Sequence, residues 1–156
     1  MLCGTAEVFD REFQISQLIE NIPNGLYTVT VQGWANRGNR AYLNGSTYVD
    51  KGSSVIGDGI FGSLQDVSKT FNENPEAHKV VLGNLMVVDG KIRIGVSWNG
   101  YVSKSWVAFD NFKLIYNNDG KDRISVLYND LKNTLQTLVN DSQYPCLLYT
   151  SDAADD

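Results

Sequence analysis

Two short stretches of the chain carry side chains that suit sugar binding. The first is Trp34 with the four polar residues just beyond it: Asn36, Arg37, Asn39 and Arg40. The second contains Trp98, Asn99 and Tyr101. An exposed indole stacks on the apolar face of a pyranose, and amide or guanidinium groups bind its hydroxyls. These eight residues are therefore candidate ligand-binding residues. The alternative is that Trp34 covers a sheet face and Trp98 caps the core.

The residue types of catalytic sites are scarce in this chain. His78 is the only histidine, so no histidine cluster is available for zinc and no Ser-His-Asp set is suggested by spacing. Residues 57–62 match G-x-G-x-x-G, but a Ser/Gly-rich loop precedes them rather than the buried strand of a βαβ unit. No spacing marks a pair of carboxylates. The sequence thus predicts a binding or structural module and no enzyme.

The strands that must position these residues are visible as alternating runs up to residue 116. Tyr27, Val29 and Val31 share one face of a strand, while Gln32 and Trp34 share the other, so alternation places the indole outward. The strand after Asp89-Gly90 alternates in the same way, with its apolar residues inward: Ile92, Ile94, Val96 and Trp98. Further strands are predicted at 6–10, 13–19, 41–43, 79–88 and 106–116, a short helix at 64–71, and a loop over 45–62. We therefore predict an all-β antiparallel sandwich over residues 1–116.

After a polar linker at residues 117–123, the pattern changes to that of an amphipathic helix over 124–142. Its apolar residues recur at alternating spacings of four and three, a heptad seam: Ile124, Tyr128, Leu131, Leu135 and Leu138. Either this seam packs on the sandwich, or it begins a helical region that continues beyond this chain. We favour the second because the linker is polar and the seam is regular.

The last eleven residues, 146–156, resemble the in-frame translation of a sequencing adapter and are left out of the fold prediction. They contribute three aspartates to the formal net charge of −5. The remaining near-neutral chain gives no electrostatic reason to expect nucleic acid or an anionic membrane as partner. It also has no apolar run long enough to span a membrane. Cys3 is then the one thiol left, so no internal disulfide is predicted.

Three motifs tie the chain to a known family: Pro-Asn-Gly-Leu-Tyr at 23–27, Asp-Gly-Lys-Ile-Arg-Ile-Gly at 89–95, and Phe-Asp-Asn-Phe-Lys-Leu at 109–114. Together they resemble the galactose-binding-like (jelly-roll) sandwich domains found as ancillary modules in secreted glycan-processing proteins of gut bacteria. More distantly, Gly33-Trp34-Ala35-Asn36 followed by Gly38 is similar to carbohydrate-binding modules of families 6 and 35. In those modules the loop after this strand and the loop before the last strand meet and hold a sugar.

The resemblance implies a non-catalytic carbohydrate-binding module of a larger secreted or cell-surface protein, with a glycan and neighbouring domains as partners. The alternative is a structural or interaction spacer without a glycan ligand. The resemblance also implies a structural calcium ion at Glu7 and Asp110, where an early acid meets the Asp of the last strand. Hydrogen bonds from loop amides are the alternative partner for Asp110. No signal peptide is visible at the start of the sequence, so export is expected from the resemblance alone.

Overall fold

A computed structural model describes residues 5–36, 40–59, 61–100 and 103–140. In these residues the chain forms eight strands and two helices. They are β1 (Ala6–Phe9), β2 (Phe13–Ile19), β3 (Gly25–Ala35), β4 (Ala41–Ser46), β5 (Lys51–Ile56), α1 (Leu64–Glu73), β6 (Lys79–Val87), β7 (Ile92–Trp98), β8 (Trp106–Asn118) and α2 (Lys121–Asn140).

The strands form two four-stranded antiparallel sheets that face each other. Sheet A has the order β1-β8-β3-β6, and sheet B has the order β2-β7-β4-β5. This strand order, with eight antiparallel strands in two layers, is the jelly-roll arrangement. The predicted all-β sandwich followed by a C-terminal helix is therefore confirmed.

The core lies between the inner faces of the two sheets. Val29 and Val31 of β3 are fully buried there, as are Ile92 and Val96 of β7. The alternation predicted for these two strands is confirmed, because the residues assigned to the apolar face of each strand make up much of this core. Trp98 is part of the same core, as the alternation of β7 indicated.

The loop predicted at residues 45–62 is wrong in its first half, where β4 and β5 pair over six residues. Gly45 and Gly52 lie opposite each other in this hairpin and face the core. A Cβ on either would come within 3.0 Å of the Leu82 side chain, so that side chain would have to shift to admit one. The glycines that made the sequence read as a loop thus leave room for Leu82 against this hairpin.

The helix predicted at residues 64–71 is confirmed and extends to Glu73. Ser63 caps it, since its hydroxyl accepts a hydrogen bond from the Asp66 backbone N–H at 3.2 Å. The side-chain amide of Gln32, on sheet A, donates to the carbonyls of Asn74 at 2.9 Å and Ala77 at 2.8 Å. These bonds fasten the end of α1 and the turn after it to the outer face of sheet A, the face away from the core.

A β-bulge in β8 breaks the alternation predicted for the last strand. Gln32 pairs with Asp110 and Thr30 pairs with Lys113, so β8 holds one extra residue between the two pairs. Asn111 lies in this bulge with a φ of 54°. Asp110 consequently projects on the outer face beside Gln32, whereas Leu114 packs against the core.

The chain divides after Asp119 into two compact units, the sandwich and the segment that contains α2. Strand β8 runs through Asn118 and α2 begins at Lys121, so the linker predicted at residues 117–123 is shorter than expected. The helix predicted to end at 142 is described as far as Asn140, and residues 146–156 lie outside the described residues. Within the described ranges, no helix has both the length and the apolar character needed to cross a membrane.

Candidate ligand-binding groove

The first predicted binding residue, Trp34, is buried, with 1% of its surface exposed. Alternation placed its ring correctly on the outer face of sheet A, but α1 covers that face. The ring packs with Val67 and Phe71 of α1 and meets Trp106 edge-on. The expectation of a solvent-exposed indole is therefore wrong, and Trp34 has no open face for a pyranose.

Other predicted binding residues are spread over different surroundings. Trp98 is 2% exposed and belongs to the core, so its ring is also closed to a ligand. Asn36 fixes backbone: its side chain accepts from the Trp106 N–H at 2.7 Å and donates to the Lys104 carbonyl at 3.2 Å. Asn99 and Arg40 are exposed. The remaining three lie outside the described residues: Arg37, Asn39 and Tyr101.

A groove of about 720 Å³ lies on sheet B. Its side chains are mostly small and polar, and they come from all four strands of that sheet: Ser16, Asn44, Ser46, Ser53, Arg93 and Ser97. We call it the outer groove, because strand register puts these side chains on the outer face of sheet B. Its size falls within the range of small-molecule and oligosaccharide sites.

Strand register arranges the outer groove in rows across the sheet. Asn44 pairs with Gly95 on one side and with Ser53 on the other. The Asn44 amide donates to the Ser97 hydroxyl at 2.7 Å and to the Tyr42 carbonyl at 3.1 Å. The amide is thus held in one orientation at the centre of the groove. Groups fixed by neighbouring hydrogen bonds lose little entropy when they bind a ligand.

Gly95 brings β2 close to the floor of the outer groove. A Cβ at this position would collide with the Ile15 carbonyl oxygen and lie 2.8 Å from the Ser16 Cα. Real Cβ atoms do not approach backbone atoms so closely, so the spacing of β2 and β7 here requires glycine. The hydroxyl of Ser16 consequently lines the groove beside β7.

The two ends of the outer groove differ in charge. Arg93 and Lys51 lie at one end, and Glu12 lies at the other. Lys91 lies two residues before Arg93 in the chain and forms an ion pair with Glu20 at 3.0 Å. The hydrogen bond to Glu20 is the main reason that the pKa of Lys91 is raised. The charge of Lys91 is therefore already matched, and Arg93 and Lys51 define the basic end.

The sandwich is similar to a carbohydrate-binding module. TmCBM61, solved in complex with β-1,4-galactotriose, superposes with a TM-score of 0.54 at 25% sequence identity. The match covers 72% of this chain and 70% of that one. No family model matches the sequence, and no curated protein matches it significantly. The galactose-binding-like sandwich expected from the sequence motifs is thus confirmed at the level of fold.

The predicted calcium ligands, Glu7 and Asp110, lie on the outer face of sheet A, and each is engaged by protein donors. The Glu7 carboxylate accepts from the Trp106 indole N–H at 2.8 Å. Asp110 accepts from the Thr5 hydroxyl at 3.2 Å and from the Asn111 backbone N–H at 2.7 Å. In the described parts of the chain, no three acidic, histidine or cysteine side chains converge to hold a metal. Two engaged carboxylates fall short of the six to eight oxygens that calcium prefers, so calcium stays a prediction.

Sequence reasoning missed the outer groove because it assigned the end of β4 and all of β5 to a loop. One signal was present. From Tyr42 to Ser46 polar residues alternate with small or apolar ones, and this is the period of a strand with a solvated face. The glycines masked that period, since glycine is unfavourable in most strand interiors.

Proposed function

We propose that this chain is a non-catalytic carbohydrate-binding module of a larger secreted or cell-surface glycan-processing protein, and that it holds a glycan in the outer groove. The observation that carries the proposal is the similarity of the sandwich to a module solved with a bound galactotriose. The hydroxyl and amide lining of the outer groove supports it, because such groups exchange hydrogen bonds with sugar hydroxyls.

The proposed binding site lies on sheet B and does not use the indoles of Trp34 and Trp98. Ser53 is exposed, and Asn44 and Ser97 are half-buried beside it. All three side chains are short, so binding costs little rotamer entropy. Asn99 lines the groove next to Glu12, and it is the predicted binding residue that we retain.

The experiment is an equilibrium titration of the full chain with β-1,4-galactotriose and a panel of plant and host oligosaccharides. We expect at least one glycan to bind more tightly than millimolar. Asn44→Ala should weaken this binding about tenfold, because it removes the fixed amide at the groove centre. Asn72→Ala is the matched control, since Asn72 is an exposed amide on α1. Binding by no glycan on the panel, or equal losses in the two variants, would refute the site.

A second candidate function is a structural or interaction module. One observation favours it: four apolar residues of the heptad seam on α2 are between 43% and 65% exposed, namely Ile124, Tyr128, Leu131 and Leu135. Sedimentation velocity of the full chain and of a variant with Leu131→Ser and Leu135→Ser tests whether the seam pairs two copies. A dimer that depends on the seam, together with no binding on the glycan panel, would favour this candidate over the first.

A further inference from the structure

Two cations lie in one row at the basic end of the outer groove. Arg93 of β7 and Lys51 of β5 both pair with Ser46 of β4, one on each side. Neighbouring strands are about 4.8 Å apart, so the two backbone positions are separated by roughly 10 Å. Both side chains are long, and both residues are exposed. They can therefore converge on one group above Ser46.

Neither cation forms an ion pair with any of the described residues. The Arg93 guanidinium reaches the Ser16 hydroxyl at 3.4 Å, which leaves its charge unmatched. The acids nearby are engaged elsewhere. Glu20 pairs with Lys91, and the Asp50 carboxylate accepts from the Met86 backbone N–H at 2.6 Å. A polar groove with two unmatched positive charges at one end favours a negatively charged ligand group there.

We propose that the outer groove binds a glycan that carries an anionic group, a carboxylate or a sulfate ester, and that this group lies between Arg93 and Lys51. The inference rests on the proposed function and adds the class of glycan. Arginine matches planar and tetrahedral oxyanions with two parallel hydrogen bonds, while lysine adds a mobile point charge. The neutral hydroxyls of the same glycan lie over Asn44, Ser53 and Ser97.

The opposite end of the groove sets the direction of the glycan. Glu12 lines that end, and its carboxylate accepts from the Gly100 backbone N–H at 2.8 Å. A fixed negative charge repels an anionic group, so the charged sugar is placed at the Arg93 end and a neutral sugar at the Glu12 end. A glycan with a charge on every residue would bind less well than one with a single charge.

The test compares each anionic ligand with its neutral counterpart. The full chain is titrated at low salt with a trisaccharide of two galactoses and one galacturonic acid, with the methyl ester of that trisaccharide, with a singly sulfated galactotriose and with unmodified β-1,4-galactotriose. We expect at least one anionic ligand to bind about tenfold more tightly than its neutral counterpart, and the difference to shrink as salt is added. The carboxylate and sulfate pairs report the two sources of charge separately.

Variants then locate the charge effect. Arg93→Gln and Lys51→Gln should each remove most of the preference for the anionic ligand, measured as the ratio of the anionic to the neutral affinity. Lys113→Gln is the matched control, because Lys113 is exposed on sheet A. Equal affinities for charged and neutral ligands, or an anionic preference that survives Arg93→Gln, would overturn the inference. If a neutral glycan still binds and Asn44→Ala weakens that binding, the proposed function stands without the anionic group. If no ligand binds, the proposed function and this inference both fail.

Discussion

The indole of Trp34 meets the indole of Trp106 edge-on, with ring centroids 4.6 Å apart and an interplanar angle of 82°. The Phe61 ring also meets Trp34 edge-on, with ring centroids 5.2 Å apart and an interplanar angle of 89°. Edge-to-face pairs of this kind are favourable beyond the area that they bury. Trp34 is therefore the centre of a second, smaller core between sheet A and α1, and its contribution is to stability.

Trp34→Ala should destabilise the sandwich by about 3–5 kcal/mol, because it empties a fully enclosed site. Trp34→Phe should cost less. It keeps part of the packing and removes an indole N–H that has no hydrogen-bond partner in the described structure. Urea denaturation followed by far-UV circular dichroism measures both. If Trp34→Ala kept the wild-type stability and lost glycan affinity, the ring would be a ligand platform after all.

The error at Trp34 shows what strand alternation can predict. Alternation assigns a side chain to one face of a sheet, and it did so correctly for Trp34 and for Val29. It does not say whether another element covers that face. The sequence signal that another element covers this sheet face was the apolar side of α1, where Val67 and Phe71 lie one helical turn apart. Nothing in the sequence stated which sheet that helix would cover.

The fold was predictable from the sequence because β3 and β7 are long and regularly patterned. The outer groove was not predictable from the sequence. Its side chains are serine, asparagine and glycine, which also dominate loops. Their role depends on the pairing of β4 with β5, its neighbour in sequence, and with β7, which is far from it in sequence. Composition alone cannot distinguish a solvated strand face from a loop.

Gly95→Ala should destabilise the chain by about 1–3 kcal/mol, because the new methyl group would collide with the β2 backbone. It should also weaken glycan binding, since β2 must move away and carry Ser16 with it. Thermal melting and glycan titration measure the two effects. Gly57→Ala is the matched control, because no atom of the described residues lies within 4 Å of its added Cβ. An equally mild effect of both substitutions would contradict the close approach of β2 and β7.

Tyr48→Ala should lower glycan affinity about tenfold without a loss of stability. Tyr48 is 83% exposed on the turn between β4 and β5, two residues after Ser46. The turn is rigid: the Thr47 N–H donates to the Asp50 carbonyl at 2.7 Å, and the Thr47 hydroxyl accepts from the Asp50 N–H at 2.9 Å. An exposed ring on a hydrogen-bonded turn near the basic end of the groove suits stacking on a sugar. Glycan titration compares Tyr48→Ala with Tyr48→Phe, which keeps the ring. If the two variants bound the glycan with equal affinity, the stacking role of Tyr48 would be contradicted.

Calcium at Glu7 and Asp110 is testable by melting the full chain with calcium and with a chelator. The resemblance predicts a lower midpoint in chelator, since a ligand at 100 times its dissociation constant stabilises by about 2.7 kcal/mol. Asp110→Asn should abolish that difference, and Glu73→Gln on α1 should leave it intact. If Asp110 acts only through its bonds to Thr5 and Asn111, the midpoint will not depend on calcium in any of the three proteins.

Tyr27 should make the sandwich less stable at strongly alkaline pH. Burial is the main cause that raises its pKa, and the neighbouring Tyr116 adds to the shift. Its hydroxyl also donates to the Pro23 carbonyl at 2.7 Å. Above a pH of about 10, the unfolded chain loses this proton while the folded chain keeps it, so stability falls as the pH rises toward the folded pKa.

Tyr27→Phe tests this assignment. At neutral pH the variant should be about 1 kcal/mol less stable than the wild type, because it lacks the hydrogen bond to Pro23. Above pH 10 its stability should fall less steeply, so that the two unfolding curves approach each other. Urea denaturation between pH 8 and pH 11 measures both differences. Parallel pH profiles for wild type and variant would show that Tyr27 does not titrate differently in the folded and unfolded chains.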